Sequence, residues 1–152
     1  ISADYANAEM VALVVLRGGF VFAADLVRAL APEVEVMVEF MSVRSYGEGT
    51  SSSGQARLVH DSDLSLEGRD ILIIEDIVET GLTLDFIREQ VEARGAKSIR
   101  FVTLLEKTGN SESGQPLDYV GFRIPDLFVV GYGLDFAQRY RHLPDIRVLV
   151  DE

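Results

Sequence analysis

An α/β fold is expected for this chain: a mostly parallel, twisted sheet flanked by helices on both faces, with a small hood. Three observations carry that expectation. Two continuous apolar runs, VALVVL at residues 11–16 and ILII at residues 71–74, have the make-up of strands covered on both sides. Each run is followed by a segment with helical spacing, which is the alternation of a parallel sheet. The last third of the chain breaks into short apolar pieces between loops, suited to a small hood rather than to another crossover. The 152 residues fit one domain, and there is neither an internal repeat nor a second domain.

The elements follow in order. Residues 1–10 read as the tail of a helix running into the first strand. The chain starts at Ile1 rather than Met, and a fragment lacking its natural start is expected. After Arg17-Gly18-Gly19, the residues Ala23, Leu26, Val27 and Leu30 fall on one helical face, and Pro32 closes that helix. Residues 34–43 alternate, with Val34, Val36 and Val38 on one side and Glu35 and Glu39 between them, as in a half-exposed strand. The run SYGEGTSSSG at 45–54 reads as a surface loop, or as a lid over a site. ILII reads as a central strand ending in Glu75-Asp76. Leu84, Ile87 and Val91 mark a helix face that stops at a C′ glycine, Gly95. Residues 99–105 form a further strand, followed by a polar loop at 108–115. Residues 128–132 and 146–150 are two last strand candidates.

Composition removes several functions. Fourteen basic residues against 25 acidic ones leave a net charge of −11. A nucleic-acid binder needs a basic surface to displace counterions, and an anionic membrane surface is disfavoured on the same ground. No apolar run reaches the ~18–20 residues of a spanning helix, and no signal peptide is visible. A cytoplasmic protein is expected. The chain has no Cys, so disulfides, thiolates and zinc–cysteine sites are excluded. Only His60 and His142 could supply imidazole, and they are far apart in sequence.

The chemistry concentrates at residues 71–84, ILIIEDIVETGLTL. A buried strand delivers Glu75 and Asp76 to its carboxyl end, where open α/β sheets bind ligands. A turn with Thr80 and Gly81 follows, and then a helix start, whose backbone N–H groups suit phosphate. Gly81 lets backbone approach a ligand, while Thr80 and Thr83 add hydroxyl donors. Paired carboxylates can accept from a sugar diol or bind a divalent cation. A lone acidic pair is more often a solvated strand end; its junction with a phosphate-type turn favours function. Neither GxxxxGK[ST] nor a GxGxxG after a strand is present.

The pattern of strand, two acids, two apolar residues, an acid, Thr, Gly, any residue and Thr resembles the phosphoribosyl-pyrophosphate signature of type I phosphoribosyltransferases. Leu16-Arg17-Gly18-Gly19-Phe20 resembles the pyrophosphate loop, and Ser45-Tyr46-Gly47 the start of the mobile lid. Leu104-Leu105-Glu106-Lys107 resembles the strand ending in the purine-binding lysine. Residues 119–141, YVGFRIPDLFVVGYGLDFAQRYR, resemble the hood that stacks the base. Five motifs in order, covering nearly the whole chain, resemble the hypoxanthine (hypoxanthine-guanine) branch. The resemblance implies one domain over residues 1–152 lacking an N-terminal helical segment, a lid at about 45–57 and a hood at about 119–145.

It also implies roles. The 79–83 turn, including Leu82, would hold the 5′-phosphate through backbone amides and the Thr80 and Thr83 hydroxyls. Glu75 and Asp76 would address the ribose hydroxyls, partly through Mg2+, and Asp135 would hold a second Mg2+ at the pyrophosphate. Arg17, Gly18 and Arg141 would meet the pyrophosphate. Lys107 would donate to the exocyclic oxygen of a 6-oxopurine, Phe128 would stack on the base, and Val129 would read it through its backbone. Ser45 and Tyr46 would close over the reacting centre. For an isolated Arg a solvated charge is the ordinary reading, and for a Phe in a strand, core packing; only the motifs turn these to function.

Three departures stand out. Glu79 occupies the place where most members carry Asp as general base. Arg17 replaces a more common lysine, in a loop where the family's peptide bond can be cis. Leu82 and Leu127 stand where some members have Lys. The implied partners are phosphoribosyl pyrophosphate and a 6-oxopurine base, in a homodimer or homotetramer. A non-catalytic regulator of the same fold is the alternative that Glu79 motivates, and an acidic receiver-type domain is a weaker third, since it gives no role to the lid and hood segments.

Overall fold

The computed structural model describes residues 1–46, 55–109 and 116–150; residues 47–54 of the lid expected at about 45–57, and residues 110–115 of the polar loop expected at 108–115, lie outside the described residues. Six strands form the main sheet: β1 (Glu9–Leu16), β2 (Glu35–Tyr46), β3 (Gln55–His60), β4 (Asp70–Val78), β5 (Ser98–Lys107) and β6 (Tyr119–Ile124). Helix α1 (Phe20–Ala29) follows β1, and α2 (Leu82–Ala93) follows β4. The strand order is β3-β2-β1-β4-β5-β6. All neighbours are parallel except β2 and β3.

The two uninterrupted apolar runs lie side by side at the centre, with Val11 opposite Ile71 and Val14 opposite Ile74. They are apolar at every position because both faces are covered. Val11, Leu13, Val15, Ile71 and Ile73 pack against Leu84, Ile87 and Val91 of α2. Met10, Ala12, Val14, Leu72 and Ile74 pack on the other face against Ala23, Leu26, Val27 and Leu30. Each fully buried Val, Leu or Ile stabilises the fold by ~1.5–3 kcal/mol relative to exposure. Strand β2 is half-exposed, but not as its alternation predicts: Val34 is buried, whereas Val38, on the same apolar side, is 42% exposed, as is Phe40.

Four local expectations change. Residues 1–8 form turns rather than a helix tail, although Tyr5 is buried in the core. Strand β3 pairs antiparallel with β2 where the sequence carries no strand pattern. Residues 119–124, assigned above to the start of the hood, form β6 at the sheet edge instead. Gly121 disguises this strand: a Cβ there would lie 2.6 Å from the Leu104 carbonyl oxygen, so the close backbone approach requires glycine. The hood strands are short, β7 (Val129–Val130) and β8 (Arg147–Val148), paired antiparallel as a separate sheet.

The topology positions the site. From β1 the chain crosses to β2 on one side; from β4 it crosses to β5 on the other. The adjacent β1 and β4 therefore form a switch point, and the crevice at their carboxyl ends is where such sheets bind ligands.

Candidate active site

Glu75 and Asp76 lie inside β4, which continues to Val78, rather than past its end. Glu75 is only 8% exposed, so it is not a solvated strand end. Burial, then the neighbouring Asp76 charge, pushes the Glu75 carboxyl well above the usual range. Burial also raises that of Asp76, against the lowering pull of its hydrogen bond from the Ile77 N–H and of the Arg141 charge. A buried acid beside a partly buried one, neither in an ion pair among the described residues, forms an oxygen-rich place suited to a hard divalent cation. Among the described residues no group of three or more His, Asp or Glu side chains is placed to hold a metal alone. Glu75, Asp76 and Asp135 are therefore not a closed protein cage. The donor chemistry instead fits Mg2+, which combines one or two carboxylates with ligand phosphate oxygens.

The turn after β4 adopts the expected form. Gly81 has a φ of 83° and caps α2, which no side chain caps; the Leu82 N–H makes only a long 3.4 Å bond to Thr80 Oγ1. The first-turn amides at Leu82 and Thr83 belong to a helix start that anions favour.

At the end of β1 the Leu16–Arg17 peptide bond is cis. Gly18 presses on Asp76 so closely that a Cβ on it would lie 1.6 Å from Asp76 Oδ2. A Cβ on Gly133, in the hood, would lie 2.3 Å from the Gly18 carbonyl oxygen. The hood and the β1 loop are thus in direct backbone contact.

Lys107, at the end of β5, is 7% exposed. Its ammonium donates to Glu79 Oε1 at 2.5 Å and to Asp126 Oδ1 at 3.1 Å. Burial pulls its pKa down, but the hydrogen bonds to Glu79 and Asp126 win and the net shift is upward. Phe128 is 50% exposed rather than buried in the core, and it meets Phe136 edge-on at 5.7 Å. Arg141 pairs with Asp135 at 2.8 Å and donates to the Gly133 carbonyl at 2.7 Å. Tyr46 ends β2; its side chain, like that of Ser45, lies outside the described residues.

Asp76, Ile77, Glu79, Lys107, Phe128, Val129, Leu134 and Asp135 line one cleft of about 160 Å³. Six of them were singled out from sequence. Arg17, Gly18, Glu75, Arg141 and the Thr80–Thr83 turn do not line it; Gly18 meets it at Asp76 and Arg141 at Asp135. Sequence reasoning missed Asp126, Phe136 and Gln138. All three lie inside the hood motif, which was the available signal. A phosphoribosyl transferase domain model matches residues 1–137.

The chain belongs to the phosphoribosyl transferase family. A hypoxanthine-guanine phosphoribosyltransferase of Bacillus subtilis is 48% identical to this phosphoribosyl transferase over 149 residues, covering 98% of this chain and 82% of that protein. The crystal structure of a hypoxanthine phosphoribosyltransferase from Staphylococcus aureus superposes with a TM-score of 0.92 at 41% identity, over 98% of this chain and 80% of that one. A solved structure of the glutamic acid mutant in an analysis of an invariant aspartic acid in HPRTs matches at 47% identity and a TM-score of 0.85, over 93% of this chain and 76% of that one. The likeness confirms the mostly parallel α/β architecture of this phosphoribosyl transferase.

Proposed function

We propose that this chain transfers a 5-phosphoribosyl group from phosphoribosyl pyrophosphate to hypoxanthine and guanine, giving IMP and GMP with release of pyrophosphate. What supports this is the single cleft that joins a buried lysine, a carboxylate, an exposed phenylalanine and two further acids, in a chain 48% identical to a protein named for that activity.

The base stacks on Phe128, and Val129 reads its edge through the backbone. Lys107 donates to the exocyclic oxygen, a contact that adenine's amino group cannot return. Glu79 takes the proton from the ring nitrogen as that nitrogen bonds to C1′ and the C1′–oxygen bond to pyrophosphate breaks. The 79–83 turn holds the 5′-phosphate, and Arg17, Gly18 and Arg141 receive the leaving pyrophosphate. Glu75, Asp76 and Asp135 would hold Mg2+, which when bound supplies charge neutralisation at the diphosphate. Tyr46 would close over the reacting centre, within a lid at about 45–57. A cytoplasmic location and assembly as a homodimer or homotetramer belong to the same reading.

Initial rates of pyrophosphate release with hypoxanthine, guanine, xanthine and adenine, each with and without Mg2+, test it. Turnover of hypoxanthine or guanine is expected, with adenine at least ~10²-fold poorer. Chelating Mg2+ should lower turnover by ~10²-fold or more. Absence of pyrophosphate release with both hypoxanthine and guanine overturns the proposal.

One contact favours a second reading, a weakly catalytic regulator of the same fold: the Glu79 carboxylate reaches Lys107 at 2.5 Å, away from a proton-accepting role. Glu79→Asp separates the two. On the second reading, shortening the side chain by one methylene raises kcat by ~10- to 10²-fold, the scale of a misplacement near 1 Å. An unchanged kcat, measured by steady-state kinetics, means that the backbone already accommodates glutamate.

A further inference from the structure

We propose that Gln138 is a positioning residue that holds Arg17 and Arg141 side by side for the diphosphate, an inference that rests on the function proposed above. Gln138 Oε1 accepts from Arg17 Nη1 at 2.8 Å and from Arg141 Nη2 at 3.4 Å. Arg17 comes from the end of β1 and Arg141 from the hood, so one amide oxygen ties together the two elements that carry the site's guanidinium groups. Two guanidiniums brought together repel. A carboxylate between them would cancel charge that a polyanion needs. An amide oxygen accepts from both and leaves their charge intact. Asp135 pairs with Arg141, whereas Arg17 makes no ion pair among the described residues.

The backbone beneath Gln138 is built against its own preference. Phe136 and Arg139 exchange two backbone hydrogen bonds, at 3.1 and 2.9 Å, around a two-residue turn. The two central residues, Ala137 and Gln138, have φ of 49° and 65°. Turns with positive φ at both positions favour Asn-Gly, and non-glycine residues held there point to function. The Gln138 N–H donates to Asp135 Oδ2 at 2.8 Å, which seats the turn. Gln138 is exposed, so core packing does not account for its place. What the turn achieves is the delivery of its amide oxygen to both arginines.

The test uses the full chain with two variants. Gln138→Met keeps the length and removes the acceptor. Gln138→Gly removes the acceptor and relaxes the turn. Both are expected to raise KM for phosphoribosyl pyrophosphate about tenfold, the loss of one charge-assisted hydrogen bond, with KM for hypoxanthine within about twofold. Calorimetry with inorganic pyrophosphate and magnesium chloride should show the same weakening. Gln138→Gly should melt at or above the wild-type temperature, a separation that a purely structural role does not produce. A wild-type KM for phosphoribosyl pyrophosphate in Gln138→Met, or equal losses for both substrates with a lowered melting temperature in both variants, overturns the inference. Wild-type protein that transfers no phosphoribosyl group overturns the functional reading instead.

Discussion

Lys107→Met is expected to lower kcat/KM for hypoxanthine and guanine by ~10- to 10²-fold, while KM for phosphoribosyl pyrophosphate changes by about twofold or less. The magnitude is that of a hydrogen bond from a charged donor, ~1.5–3 kcal/mol. Adenine should be affected far less, so the preference for 6-oxopurines shrinks. The protein should nevertheless fold. Lys107 is buried, but the carboxylates it meets on Glu79 and Asp126 are 56% and 60% exposed and stay hydrated once the ammonium is gone. An unbranched apolar side chain in its place removes a buried charge together with the cost of burying it. Steady-state kinetics with three bases, beside a thermal melt, checks both halves. A fall in melting temperature matching the loss of activity would assign Lys107 to the scaffold.

Gly18→Ala is expected to cost ~10²-fold or more in kcat/KM for phosphoribosyl pyrophosphate. A methyl group there would stand 1.6 Å from Asp76 Oδ2 and 2.5 Å from its Cγ, so something must move. Asp76 could swing aside only by giving up its 2.9 Å bond from the Ile77 N–H and its proposed place at the ribose. If the β1 loop retreats instead, Arg17 goes with it. Either route displaces a group proposed to hold the substrate, and ~1 Å of misplacement is worth about this factor. KM for the base should change little, because Lys107 and Phe128 lie on other elements. Kinetics with each substrate varied in turn gives the answer; a normal KM and kcat for phosphoribosyl pyrophosphate would mean that the Gly18–Asp76 contact is not part of the working site.

The central sheet was legible because β1 and β4 carry uninterrupted apolar runs at residues 11–16 and 71–74, a pattern that fits double-sided burial. Helix α2 was legible from Leu84, Ile87, Val91 and the stop at Gly95, which has a φ of 78°. Strand β6 was hidden by Gly121, a strand breaker by propensity that serves here as a close-approach residue. The acidic pair and the phosphate turn stood out because carboxylates before a Thr-Gly turn are chemically marked, whereas Lys107 and Phe128 stood out only through the motifs that resemble the family. Gln138 was not marked. Its bond to Arg17 spans 121 positions, and an Ala-Gln turn carries none of the Gly or Asn that announces positive φ. Asp126 was passed over for a similar reason: its meaning lies in its distance to Lys107, not in its neighbours along the chain.

The contact between Gly133 and the Gly18 carbonyl makes the cleft a caliper of fixed opening. Phe128 and Val129 stand on the hood jaw and Arg17 on the loop jaw, with backbone against backbone between them. In the proposed reaction, the span from base to diphosphate is then dictated by the frame and not by the molecule that enters. Ligands joining a purine-like ring to an anionic group should be graded by length, and one that is too long gains nothing from flexibility elsewhere. A single methyl group at position 133 would act as a shim, resetting the gauge for every ligand at once.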